Sequence, residues 1–249
     1  MSTAVAAVRS VVTYVAIVVY ILIAAPLALA IGGPLRWKSG MYALGHCGVW
    51  LALTLAGIRY RVAGRENLPD TAVVFCSNHE SNVDPPVLFR ALHRQLHILY
   101  KAELRKIPIM KTAFDVGGYV AVERGDRTKS MESIARGAES LRSGNSFLIF
   151  PEGTRSRTGE LLPFKKGGFM LALETGHPIV PLAIRGSGRI LPRGSRVPRG
   201  GDVEVIVGPP IPVTGLDRDE IMRRVRDFLT DYGDEARPRT RDDLAAEAI

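Results

Sequence analysis

His79 and Asp84 stand five positions apart in Asn78-His79-Glu80-Ser81-Asn82-Val83-Asp84-Pro85, directly after the apolar run 72–76. A carboxylate on one imidazole nitrogen fixes the tautomer and leaves the other nitrogen free to take a proton, which is the equipment of a general base. The apolar run reads as a buried strand. Asp84-Pro85-Pro86 reads as a helix start, with Asp as N-cap and Pro at the first helical position. The loop between them is short enough to fold Asp84 back against the imidazole. A lone His near an Asp is more often a loop hydrogen bond than a catalytic pair, so the weight lies in what accompanies it.

Phe150-Pro151-Glu152-Gly153-Thr154-Arg155-Ser156 leaves a second strand and enters a polar loop. Glycine lets a backbone approach a ligand closely, and Arg155 offers a planar fork suited to phosphate. Arg124 closes a third strand in Gly118-Tyr119-Val120-Ala121-Val122-Glu123-Arg124, and Lys101 closes a fourth. Each cation alone reads as a surface charge. Three of them at strand ends, on the rim that bears His79, would make a phosphate-sized positive site.

The elements that must carry these residues follow from periodicity. Strands are expected at 58–62, 72–76, 96–100, 119–122, 146–150, 179–184 and 203–207, and helices at 86–93, 103–114, 129–142, 167–175 and 217–232. In the helix 129–142, Met131, Ile134, Ala138 and Leu141 form one apolar stripe suited to packing on a sheet. Such alternation predicts an α/β fold with a mostly parallel central sheet flanked by helices, and ligands at the carboxyl ends of its strands.

The N-terminus is different. Residues 11–31 form an uncharged apolar run; as a helix it would reach about 31 Å, against a hydrocarbon core of about 30 Å. A second uncharged run, 41–58, is interrupted by Gly45, His46 and Gly48, and a turn-rich linker with Arg36, Trp37 and Lys38 joins the two. Three topologies compete. A helical hairpin dipping into one leaflet ranks first, because it keeps Arg9, Arg36, Lys38, Arg59 and Arg61 at one interface. Two full spans rank second and a cleaved signal peptide last. The expected organisation is a membrane-associated hairpin over 1–58, an α/β domain over 59–232 and a charged tail over 233–249.

A net charge of +8 over 249 residues admits nucleic acid, an anionic bilayer or phosphorylated small molecules. No nucleic-acid motif is present and aromatics are sparse, so the membrane is the expected partner. Cys47 and Cys76 form neither a disulfide framework nor a zinc spacing, and no metal site is expected. Residues 185–200 are dense in Gly, Pro and Arg. They read either as a solvated loop or as a contact for anionic headgroups or for an acidic acyl carrier.

Taken in order, Asn78-His79 with Asp84, Arg124, and Glu152-Gly153-Thr154-Arg155 resemble the glycerolipid acyltransferase superfamily, and bacterial lysophosphatidate (1-acylglycerol-3-phosphate) acyltransferases in particular. The likeness runs from Gly64 to Val207 and includes Glu66-Asn67-Leu68-Pro69, Lys101-Ala102-Glu103-Leu104, Phe164-Lys165-Lys166-Gly167 and Val180-Pro181-Leu182. It implies His79 as general base and Asp84 as its orienting partner. Arg124 would hold the acceptor's phosphate. Glu152, Gly153, Thr154 and Arg155 would shape the acceptor site with Arg155 on phosphate, and Lys101 is a further phosphate candidate. Ala121 and Glu123 depart from the bulkier residue, often Phe, and the Asp common in the second motif, which bears on acceptor detail.

The implied reaction moves a fatty acyl chain from a thioester, coenzyme A or acyl carrier protein, to the sn-2 hydroxyl of 1-acylglycerol 3-phosphate, giving phosphatidic acid without a cofactor. The catalytic domain would sit at the cytoplasmic face of the cell membrane. Ser77, Ser81 and Cys76 lie near His79, yet none sits in a nucleophile elbow, so direct attack by the alcohol is preferred to an acyl-enzyme. Other readings are a sister acyltransferase acting on glycerol 3-phosphate or another lysophospholipid, a hydrolase, and a non-enzymatic lipid-binding protein.

Overall fold

A computed structural model describes residues 3–27, 38–106, 111, 114–115, 119–122 and 127–233. The chain divides into two compact units, one of residues 1–61, 80–93 and 186–204 and one of residues 62–79, 94–185 and 205–249. The linker 28–37 and the tail from 234 onward lie outside the described residues.

In order, the elements are α1 (Thr3–Leu27), α2 (Lys38–Leu55), β1 (Ile58–Ala63), β2 (Val74–Ser77), α3 (Asp84–Ala91), β3 (Leu96–Lys101), β4 (Val120–Val122), α4 (Arg127–Arg142), β5 (Ser146–Ile149), α5 (Gly167–Thr175), β6 (Ile179–Arg185), a one-turn α6 (Ser187–Ile190), β7 (Gly201–Val207) and α7 (Arg218–Gly233). The strands form one seven-stranded sheet in the order β1-β7-β6-β2-β5-β3-β4. The pairings of β2 with β5 and β6, and of β3 with β4 and β5, are all parallel. The mostly parallel sheet flanked by helices is as expected.

In the first unit, α1 is apolar all round. Val8, Val11, Val15, Leu22 and Ile23 are each more than half exposed, and only 11% of its bilayer-length apolar window is buried. Among the described residues it is the one helix long and apolar enough to cross a membrane. Ser10 and Thr13 turn their hydroxyls back onto the carbonyls of Ala6 and Arg9, at 2.7 and 2.8 Å, so these two hydroxyls are satisfied within α1. α1 packs on α2, where the Tyr20 O–H donates to the Leu44 carbonyl at 2.7 Å. α2 packs in turn on α3, with the His46 ring stacked on Phe89 at 4.1 Å.

In the second unit, all four residues of β2 and of β5 are buried, the pattern of central strands covered on both faces. Val74, Phe75 and Cys76 stand opposite Phe147, Leu148 and Ile149 on one side and opposite Ile179, Val180 and Pro181 on the other. Leu141, Phe147, Phe169, Leu171, Ile179 and Ile221 centre a core in which α4 packs on α5, and α7 on β6 and α5.

The structure corrects four expectations. Met131 is 60% exposed and lies off the buried stripe of α4. The centre of that face is Gly137, where an added Cβ would stand 3.2 Å from Leu171; the missing side chain draws α5 against this turn. The helix expected over 103–114 is a 3₁₀ segment, Ala102–Lys106, followed by residues that are mostly undescribed. Asp84 is not the N-cap; Val83 is, and Asp84 opens the first turn. The loop at 185–200 holds the one-turn α6, which Gly186 enters at φ +89°.

Candidate active site

β2 and β5 are neighbours, and both end where polar loops begin. The chain leaves β2 toward the β5 side of the sheet and leaves β5 toward the β2 side, so both outgoing loops meet over the carboxyl ends of this strand pair, the edge where parallel sheets bind ligands. His79 follows β2 by two residues and Glu152 follows β5 by three.

Asn78 is 3% exposed and extends the pairing of β2 with β6 by a side chain. Its amide donates to the Ile184 carbonyl at 2.9 Å and accepts the Ile184 N–H at 2.8 Å. His79, half-buried, stacks its ring on Phe150 with centroids 4.1 Å apart and planes at 23°. Glu152 is 3% exposed, and both its carboxylate oxygens accept backbone hydrogens. Oε1 takes the His79 N–H at 2.9 Å and Oε2 the Leu162 N–H at 3.0 Å. The Ser156 N–H closes the arrangement on the His79 carbonyl at 2.7 Å. Charge-assisted bonds from a buried carboxylate are the strong kind, so the His79 backbone is fixed from both of its faces.

The rest of the loop falls around this clamp. Gly153 sits at φ +66°, which favours glycine, and the Lys165 side chain runs across it. A Cβ there would stand 2.9 Å from Lys165 Cδ and 3.2 Å from its Nζ. Lys165 is held by its own N–H on the Pro151 carbonyl at 2.7 Å. Thr154 is exposed and Arg155 half-buried. Arg124 lies outside the described residues. The Lys101 backbone pairs with Val122 at the end of β3, and its side chain is not described.

In the other unit, Asp84 is fully buried, and its Oδ2 accepts the N–H groups of Glu80 at 2.8 Å and Ser81 at 2.9 Å. The carboxylate therefore braces the loop that follows His79, and it does not cap its own helix. The Ser81 hydroxyl donates to the Leu191 carbonyl at 2.9 Å and accepts the Val83 N–H at 3.1 Å. The Ser77 hydroxyl donates to the Asn78 carbonyl at 3.1 Å. Burial, with the Glu152 charge adding to it, pushes the Cys76 thiol well above its ordinary range. All three nearby nucleophile candidates are thus committed to structure or deactivated. Among the described residues, no three of His, Cys, Asp and Glu gather as a metal ligand set.

A family model described as Acyltransferase matches residues 59–185, which hold β1 to β6 and the loops that follow β2 and β5. The chain belongs to the acyltransferase family. Among its relatives, the 1-acyl-sn-glycerol-3-phosphate acyltransferase BAT2, chloroplastic, of Brassica napus is 40% identical over 60% of this chain and 44% of that protein. The 1-acyl-sn-glycerol-3-phosphate acyltransferase of Pseudomonas aeruginosa is 33% identical over 67% of this chain and 65% of that protein. The one of Borreliella burgdorferi is 30% identical over 70% and 75%. The match to the plant relative thus spans less than half of that protein's length, and the match to the Pseudomonas relative about two thirds. The crystal structure of the 1-acyl-sn-glycerophosphate (LPA) acyltransferase, PlsC, from Thermotoga maritima superposes with a TM-score of 0.79 at 26% identity, covering 96% of this acyltransferase and all of that chain.

Sequence reasoning singled out no role for Phe150 or Lys165. Phe150 ends an apolar run, so it read as strand. Lys165 lay in a motif of the resemblance with no chemistry attached. Only the fold brings it to Gly153.

Proposed function

We propose that this acyltransferase moves a fatty acyl chain from a thioester to the sn-2 hydroxyl of 1-acylglycerol 3-phosphate, giving phosphatidic acid and a free thiol. The observation that carries this reading is the Glu152 carboxylate, which joins the histidine loop to the loop of Arg155 by one hydrogen bond to each side. A proton acceptor and a phosphate-sized cationic loop at one strand rim are what a phosphorylated alcohol needs. The names of the relatives agree with it.

In the proposed mechanism His79 removes the acceptor hydroxyl's proton as the oxygen attacks the thioester carbonyl, and Asp84 orients the imidazole. The tetrahedral intermediate collapses with loss of thiolate, which takes the proton back from the imidazolium. Such a base contributes about 10²–10⁴-fold. Arg155 and Arg124 hold the acceptor's phosphate, with Lys101 as a further phosphate candidate. Gly153 makes room for the Lys165 side chain beside this loop, and Thr154 is exposed next to it. Neither a metal nor a cofactor enters, and coenzyme A or acyl carrier protein brings the acyl group. The commitments of Ser81, Ser77 and Cys76 support direct attack over an acyl-enzyme. The apolar α1 supports a membrane-held enzyme, whose catalytic residues we assign to the cytoplasmic face.

Purified full-length protein with labelled acyl-coenzyme A and lysophosphatidate tests this. The product should be phosphatidic acid labelled at sn-2. His79→Ala should lose about 10²-fold or more of the rate, and Ser81→Ala should retain most of it. Equal loss in both variants, or acylation of glycerol 3-phosphate in preference to lysophosphatidate, would displace the proposal.

A further inference from the structure

The arginine-rich loop that follows β6 has no part in the reaction proposed above. Residues 186–200 carry Arg189, Arg193, Arg196 and Arg199 and no acidic residue, and all four arginines are exposed. This loop is tied to the apolar α1. The Tyr14 O–H donates to the Arg196 carbonyl at 2.7 Å. Where the loop enters β7, the Gly201 N–H donates to the carbonyl of Gly57, two residues past the end of α2, at 3.0 Å.

Beneath it, Arg9 of α1 lies against two glycines. A side chain on Gly57 would collide with the Arg9 guanidinium, and a Cβ on Gly200 would stand 2.8 Å from Arg9 Nη1. Arg9, Thr54, Gly57, Arg59, Gly200 and Gly201 line an open cleft of about 460 Å³. Arg59, at its edge, is shared with Asp202 through bonds of 2.9 and 3.1 Å.

The position of this cleft along α1 sets the depth at which it would meet a bilayer. Thirteen residues of α1 continue past Tyr14, about 20 Å of uncharged helix. One leaflet contributes about 15 Å of hydrocarbon. With α1 in a bilayer, Tyr14 and the loop it holds fall at headgroup depth, where tyrosine anchors and arginine meets phosphate. A cytosolic protein partner would have to enter the headgroup layer to reach the same surface.

We infer that the Arg9 cleft and the exposed arginines at 193, 196 and 199 bind the phosphodiester headgroup of an anionic phospholipid, seating the acyltransferase on acidic membrane. The inference goes beyond acyl transfer and stands or falls without it.

The test uses the full chain in nanodiscs of phosphatidylcholine alone or with about a third phosphatidylglycerol. A fluorophore is placed at Ser195→Cys in a Cys47→Ser background, since Cys76 is buried. A headgroup-labelled quencher lipid should quench this probe, several-fold more strongly in the anionic discs, and the excess should fall at high salt. Arg196→Gln with Arg199→Gln should remove most of the excess while the helices remain in the disc. Each arginine is worth about fivefold in affinity for anionic lipid. Arg9→Gln should weaken the excess further, and its melting temperature checks that the fold survives. Equal quenching in both discs, or no quenching, overturns the inference. Relief of quenching by added acyl carrier protein overturns it as well, and assigns the loop to the carrier.

Discussion

Glu152 commits both carboxylate oxygens to backbone N–H groups, those of His79 and Leu162. In the proposed mechanism it would bear on the reaction through the histidine's backbone. Glu152→Gln keeps one acceptor oxygen and turns an NH₂ toward an amide that needs an acceptor. A buried group so stranded costs about 1–3 kcal/mol. The expected outcome is a lower kcat with KM for lysophosphatidate unchanged, together with a lower melting temperature. A rise in KM alone would put the carboxylate on the acceptor. The resemblance implies that Glu152 shapes the acceptor site, and spacing could not show which backbone groups its carboxylate holds. Its partners are backbone hydrogens 73 residues before it and 10 after, so the role exists only once β2 and β5 lie side by side. Asp84 teaches the same lesson. Asp-Pro-Pro reads as a cap, yet the carboxylate turns back to Glu80 and Ser81.

At the scale of elements, the central strands were legible because parallel strands covered on both faces leave unbroken apolar runs, as in Val74-Phe75-Cys76. The face of α4 was less legible, because Gly137 carries no apolar side chain to mark the closest approach of α5. Helix α7 shows how charge pattern shapes stability. Glu220 pairs with Arg223 at i+3 and Arg224 at i+4, at 2.8 and 2.7 Å, and these hydrogen bonds lower its pKa to about 2. A carboxylate depressed on folding contributes stability that is present above its unfolded pKa near 4.5 and lost as pH falls through about 2. Glu220→Gln should therefore melt lower than wild type at pH 7, and the difference should shrink between pH 4.5 and 2. The pair is exposed, so the effect should be small and should fade in salt. A difference that persisted at pH 2 would mean the glutamate acts through packing.

For the whole molecule, α1 keeps its apolar surface outward while α2 packs against both α1 and α3. The uncharged run that marks α1 was plain in the sequence. The tie from Tyr14 to Arg196 was not, because it joins residues 182 positions apart. The proposed substrate is an amphiphile, so anchoring should matter for delivery more than for chemistry. Removing residues 1–58 should lower turnover of lysophosphatidate presented in vesicles far more than turnover of a short-chain, water-soluble acceptor. Vesicle assays unaffected by the deletion would remove the reason for an anchor.

The Glu152 bridge has a further consequence for motion. Because one side chain holds the His79 and Leu162 amides, a swing of the Glu152 carboxylate out of its seat would release both loops together. Their amide protons should exchange with deuterium at a common rate, set by a single opening event, and Glu152→Gln should split them into two.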